Sequence, residues 1–124
     1  MEFKLELVTV PVADVDRAKA FYTEKAGFVA DHDHRVSADV RFVQLTPPGS
    51  ACSIAIGTGL GPEMTPGTLR GLQLVVTDAD AARAELAGRG VDVSDVHEFP
   101  WGRFVFFEDP DGNGWNVQEV PPRP

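Results

Sequence analysis

The chain has 124 residues and a mass of 13.4 kDa, enough for one domain around one core. Its composition, 43% hydrophobic and 24% charged, is that of a globular protein, and no apolar run approaches the roughly 18 residues that a membrane-spanning helix needs. A net charge of −8, with no cluster of Lys and Arg to offset it, argues against nucleic acid as a partner.

In chain order, a Val/Leu-rich run from about Lys4 to Val12 predicts a first strand. Asp14 follows as a helix N-cap, and Val15, Ala18, Phe21 and Tyr22 fall at helical spacing. Gly27 supplies the left-handed residue that ends the helix. Three short strands are expected near 28–34, 39–46 and 51–57, the last two joined by the turn Thr46-Pro47-Pro48-Gly49-Ser50. The segment 57–67 is too rich in Gly and Pro for helix or strand and reads as a linker or a lid.

The same order then recurs. Leu69 to Val76 reads as a strand, Asp78 as an N-cap, Ala79, Ala82 and Leu86 as a helix face, and Gly90 as its stop. Strands are expected at 91–98, 103–108 and 114–120, the last two joined by Asp109-Pro110-Asp111-Gly112-Asn113. A shift of 63 places superposes the two Pro/Gly turns, Gly27 on Gly90, and His34 on His97. The fold class is therefore α+β, one domain of two βαβββ modules, about 1–57 and 68–120. The tail Pro121-Pro122-Arg123-Pro124 lacks donors for a sheet and is expected to fray. The single Cys52 cannot close an internal disulfide, and Met1-Glu2-Phe3-Lys4 is not a basic segment leading into an apolar one, so a cytoplasmic setting is expected.

These residues resemble the vicinal oxygen chelate superfamily, which includes glyoxalase I, bleomycin-resistance proteins and extradiol dioxygenases. The carriers are Val12-Ala13-Asp14-Val15-Asp16-Arg17-Ala18-Lys19-Ala20-Phe21-Tyr22, Gly27-Phe28, and Phe107-Glu108-Asp109-Pro110-Asp111-Gly112-Asn113, and the resemblance covers essentially the full chain. It implies sheets curved into a half-barrel cup, a homodimer, and, in metal-dependent members, His, Glu or Gln ligands on the first and last strands of each module. Here those positions align with Leu7, Leu72, Ser53 and Asn116. Aliphatic and neutral side chains hold a divalent cation poorly, so no metal and no other cofactor is expected at the family site. Nearby Glu6, Thr9 and Gln73 do not restore a set.

Other donors come into view. His32-Asp33-His34 places two histidines on one face of a strand, and the repeat makes His97 a counterpart of His34. A displaced cluster of His32, His34, His97 and Glu98 would be a divalent-metal site, while solvated strand positions are the plainer reading. For the cup itself, Ser53, Ala55, Asn116 and Gln118 are expected to face inward, opposite an apolar set of Cys52, Ile54, Trp115 and Val117. The stretch Phe99-Pro100-Trp101-Gly102-Arg103-Phe104-Val105-Phe106-Phe107 adds an aromatic wall on whichever of its faces is not core. The candidate ligand-binding residues are therefore Ser53, Trp101, Arg103, Phe104, Phe106, Asn116 and Gln118, with Arg41 and Arg103 placed to meet a carboxylate.

Two classes of function stay open. One is a metal-free protein that binds a small aromatic or cationic molecule in the cup, as bleomycin-resistance relatives do. The other is an enzyme of the same superfamily, a lyase, isomerase or dioxygenase, using a displaced metal or acid–base chemistry through His34 or His97. Neither nucleic acid nor membrane is an expected partner.

Overall fold

A computed structural model describes residues 1–121, so the rest of the tail expected to fray lies outside the described residues. Two four-stranded mixed sheets carry the chain. The first comprises β1 (Leu7–Thr9), β2 (Val29–Arg35), β3 (Arg41–Thr46) and β4 (Ser53–Thr58), in spatial order β1-β4-β3-β2. The second comprises β5 (Leu72–Val76), β6 (His97–Phe99), β7 (Gly102–Glu108) and β8 (Gly114–Glu119), in the matching order β5-β8-β7-β6. In each module the first strand runs parallel to the last, and the other pairs are antiparallel. The two-module α+β architecture is as expected.

Each module's helix follows its first strand. The first, α1 (Val15–Ala20), is capped by Asp14, whose carboxylate accepts from the Arg17 amide, and continues into one π-helical turn, Phe21–Lys25. The second, α2 (Ala79–Gly88), is capped in the same way by Asp78. Gly27 and Gly90 adopt φ of 81° and 91°, the left-handed conformation needed just past each helix. No helix among the described residues is long and apolar enough to cross a membrane.

Three boundaries differ from expectation. Strand β1 starts at Leu7 because β4 starts at Ser53, whose amide bonds to the Glu6 carbonyl; among the described residues no strand pairing involves a residue before Leu7. The segment expected as linker begins inside β4, which runs through Gly57 to Thr58. The strand expected over 91–98 shrinks to His97–Phe99. At Ser94 the ladder ends because the hydroxyl, not the backbone carbonyl, accepts from the Phe106 amide, while Arg83 of α2 takes that carbonyl.

One core serves both modules. Val10, Val15, Ala18, Tyr22, Phe28, Val43, Leu45, Ile54 and Ile56 from the first pack with Leu86, Val91, Val105, Phe107, Trp115 and Val117 from the second. Tyr22 and Phe28 both meet the Trp115 ring edge-on, at 5.8 and 5.4 Å between centroids. A buried polar knot reinforces this seam. The Asp109 carboxylate accepts from the Tyr22 hydroxyl (2.8 Å), the Asn113 amide group (2.8 Å) and the backbone amides of Asp111 and Asn113 (both 2.9 Å). Trp115 Nε1 donates to the Tyr22 oxygen, and Asn113 ties the Pro11 carbonyl and the Leu69 amide into the same knot. Burial, then the neighbouring Asp109 carboxylate, pushes the Tyr22 phenol well above its ordinary value.

Candidate functional site

Because the helix-side faces share the core, the opposite faces of the two sheets are left open. Strand parity assigns their residues. On the second sheet Phe107 pairs with Trp115 and Val105 with Val117 on the core side. Phe104 pairs with Gln118 and Phe106 with Asn116 on the open side, where Gln73 and Val75 of β5 and His97 and Phe99 of β6 join them. On the first sheet Leu7, Thr9, Phe42, Gln44, Thr46, Ser53 and Ala55 hold the equivalent positions.

The open face of the second sheet is a continuous aromatic surface. Phe99 stacks on Trp101 at 5.1 Å with planes 9° apart, meets Phe104 edge-on at 5.6 Å, and continues to His97 at 6.5 Å. Phe104 and Phe106 are parallel at 5.9 Å, and His97 closes the circuit against Phe106 at 5.6 Å. Trp101 keeps 61% of its surface in solvent and Phe99 40%, an unusual exposure for stacked aromatics. The exposed large apolar residues within strands, Leu7, Val29, Val75 and Phe99, all lie on open faces.

A neutral polar row borders the rings. Gln118 Nε2 donates to the Trp101 carbonyl at 2.9 Å and fixes the loop that carries the indole, while its Oε1 accepts from Gln73 at 2.6 Å. The Asn116 side chain makes no hydrogen bond among the described residues and borders a groove of about 730 Å3 with Phe106, Ser94, Glu108 and Arg70. On the first sheet Ser53 is 6% exposed, its hydroxyl already engaged by Thr46 and Gln44, and Thr46 also donates to Asp31.

Arg103, expected at the cup wall, turns to the helix side instead. It shares parity with Val105 and Phe107, and binds Asp80 of α2 (2.9 Å), Glu98 (3.1 Å) and Glu119 (3.4 Å). Arg41 does the same in the first module with Asp16 (2.7 Å) and Asp33 (2.9 Å). Both arginines pin a helix's first turn to a hairpin and are unavailable to a ligand carboxylate. Hydrogen bonds from Arg41, then from Lys19, hold the Asp33 carboxyl well below the usual carboxylate range.

The histidines separate. His32 and His34 stack on each other at 5.5 Å on the first sheet, while His97 belongs to the aromatic face of the second. Among the described residues no group of three or more His, Cys, Asp or Glu could hold a metal ion, so the displaced cluster with Glu98 does not form. The family positions also need one correction. Leu7 pairs with Ser53, but the residue paired with Asn116 is Gln73; Leu72 pairs with Trp115 and packs on the core side. The β5–α2 connection, five residues from Gln73 to Asp78 against seven from Leu7 to Asp14, accounts for the shift. Leu7, Ser53, Gln73 and Asn116 present no charge and no imidazole, so the donors do not fit a divalent cation.

Three grooves on the surface each touch at most one of the open faces. Sequence reasoning passed over Phe99, Gln73 and Gln44 as site residues. The signal that places them is parity, because His97 and Phe99 face as Phe104 and Phe106 do across a tight hairpin.

Comparison with known proteins gives consistent findings. The family model described as Glyoxalase/Bleomycin resistance protein/Dioxygenase superfamily matches residues 4–117. Among solved structures, TnmS3, an antibiotic binding protein from Streptomyces sp. CB03234, is 38% identical with a TM-score of 0.86, over 97% of this chain and 98% of that one. A member of the same superfamily from Sphaerobacter thermophilus DSM 20745 is 31% identical with a TM-score of 0.81, over 94% and 97%. The uncharacterized protein YetH of Bacillus subtilis (strain 168) is 26% identical over 113 residues, 90% of this chain and 94% of its own.

Proposed function

Because the chain belongs to the Glyoxalase/Bleomycin resistance protein/Dioxygenase superfamily, we propose that it is a binding protein that sequesters a planar aromatic small molecule, such as an antibiotic, without a metal and without altering it. The observation that carries this reading is the aromatic surface of His97, Phe99, Trp101, Phe104 and Phe106, with Trp101 and Phe99 exposed over a buried Phe104, edged by Asn116 and Gln118. Rings offer a flat ligand stacking and apolar burial on both sides, and the amides orient it without the desolvation penalty of a charge. The net charge of −8 further favours a cationic ligand. Similarity to an antibiotic binding protein over nearly the whole chain supports the same reading.

A homodimer completes the site in this proposal, with the second-sheet face of one copy meeting the first-sheet face of the other. Exposed Leu7, Val29, Val75 and Phe99 on those faces support that arrangement. The reduced Cys52 fits a cytoplasmic setting.

The test is calorimetric titration of a panel of planar aromatic antibiotics, before and after treatment with a strong chelator, with mass spectrometry of the recovered compound. Saturable binding, indifferent to the chelator, with the compound recovered unchanged is the expected result. A chemically altered product, or binding abolished by the chelator, would refute the reading, as would a panel in which nothing saturates.

A further inference from the structure

We propose that His32 and His34 form a two-imidazole chelate for a borderline divalent cation such as Zn2+ or Ni2+, at a place in the fold removed from β1 and β4. The backbone builds this pair deliberately. Strand β2 pairs Ala30 with Leu45, a core position, and then His32 with Gln44, an open-face position, so Asp31 is an extra, bulged residue. Without that bulge His32 would stand opposite Val43 on the core side. With it, His32 and His34 both face outward beside Gln44 and Phe42, and Asp33 is turned to the helix side, where it engages Arg41 and Lys19. Re-aiming side chains is what bulges do.

The two rings already lie face to face, 5.5 Å between centroids and 24° between planes. Both residues are exposed, and neither ring hydrogen-bonds to another group among the described residues. An ion held at about 2.0–2.1 Å from each nitrogen needs the two nitrogens no more than about 4.2 Å apart. Rotation of two exposed side chains closes that gap without moving the strand. Of the nearby cations, Lys19 and Arg41 are neutralised by Asp33 on the opposite face, and Arg35, next to His34, shares the parity of Asp33 and points to that same opposite face. Imidazole selects Zn2+, Ni2+ or Cu2+ over Mg2+ or Ca2+, and the remaining coordination positions go to water. His97 takes no part, being packed against Phe99 and Phe106 on the other sheet. The pair lies on the edge strand β2 of the first sheet's open face, and because cation uptake is read without any aromatic ligand present, its failure is distinguishable from failure of the ligand-binding reading.

The test uses untagged full-length protein, with Zn2+ and Ni2+ titrated in competition with a chromophoric chelator and Mg2+ as a comparison ion. One Zn2+ per chain is expected, at least tenfold weaker in H32A and in H34A, unchanged in C52A, with no uptake of Mg2+. On titration the imidazole signals of His32 and His34 should shift together while that of His97 stays in place. Both side chains are exposed, so H32A/H34A should melt as the unaltered protein does in metal-free buffer. The proposal is overturned if H32A/H34A binds Zn2+ as tightly as the unaltered protein, or if the His97 signal moves with the other two.

Discussion

Replacing Asp109 with alanine should unfold this domain at a markedly lower temperature, although Asp109 is only one short loop residue. Its carboxylate accepts four hydrogen bonds, two of them from the fully buried side chains of Tyr22 and Asn113. Each buried donor left without a partner costs about 1–3 kcal/mol, and the backbone amides, buried at Asn113 and half-buried at Asp111, add a part of that because the loop can relax toward water. The sum is on the order of 3–5 kcal/mol, against a total stability of about 5–15 kcal/mol for domains of this kind. For this length that corresponds to a fall in Tm on the order of 10–20 °C. Thermal denaturation followed by circular dichroism and calorimetry measures it directly. Tyr22→Phe removes one donor and leaves Trp115 Nε1 without its acceptor, so about 1–2 kcal/mol is expected. The double variant should lose less than the sum of the singles, because both remove the same bond. A D109A variant that melts within about 2 °C of the unaltered protein would refute this account of the seam.

Three further outcomes follow from the same geometry. Trp101→Ala should weaken a bound aromatic ligand by about 30-fold, roughly 2 kcal/mol, with little change in Tm since the indole is mostly solvent-exposed; unchanged affinity in the titration would remove Trp101 from the site. Asp33→Asn should cost about 1–3 kcal/mol at neutral pH and flatten the acid limb of stability. The sign follows from a folded carboxyl held below its unfolded value near 3.9: the stabilisation is complete above that pH and is lost as pH falls through the folded value, so equal acid limbs in urea melts would contradict it. Gly67→Ala should be strongly destabilising, since a Cβ there would run into the Asp111 backbone carbonyl and Gly67 has φ of 80°; a normal melting temperature would show that the loop gives way easily.

Much of this was legible in the residues. Repeated caps, helix stops and Pro/Gly turns expose the duplication, and alternation along β8 separates Trp115 and Val117 from Asn116 and Gln118. Alternation also contains the facing of Arg103, but only once the Phe107–Trp115 pair says which side of β7 is core. Two things were out of reach. The bulge at Asp31 and the shortened path from Gln73 to Asp78 change parity and register through backbone choices that no single residue announces. The meeting of the two modules through their helix sides depends on long-range packing, Tyr22 and Phe28 against Trp115, which strand patterns do not encode.

The loop holding Asp109 and Asn113 has no functional twin. In the other half of the duplication its counterpart is Thr46-Pro47-Pro48-Gly49-Ser50, which has neither side-chain carboxylate nor side-chain amide to offer, and the equivalent of Tyr22 in α2 is Leu86, which has no hydroxyl. The two halves are thus lock and key, no longer interchangeable copies. Either half expressed alone, even at high concentration, lacks what it would need to pair with itself, whereas co-expressed halves retain every atom of the clasp.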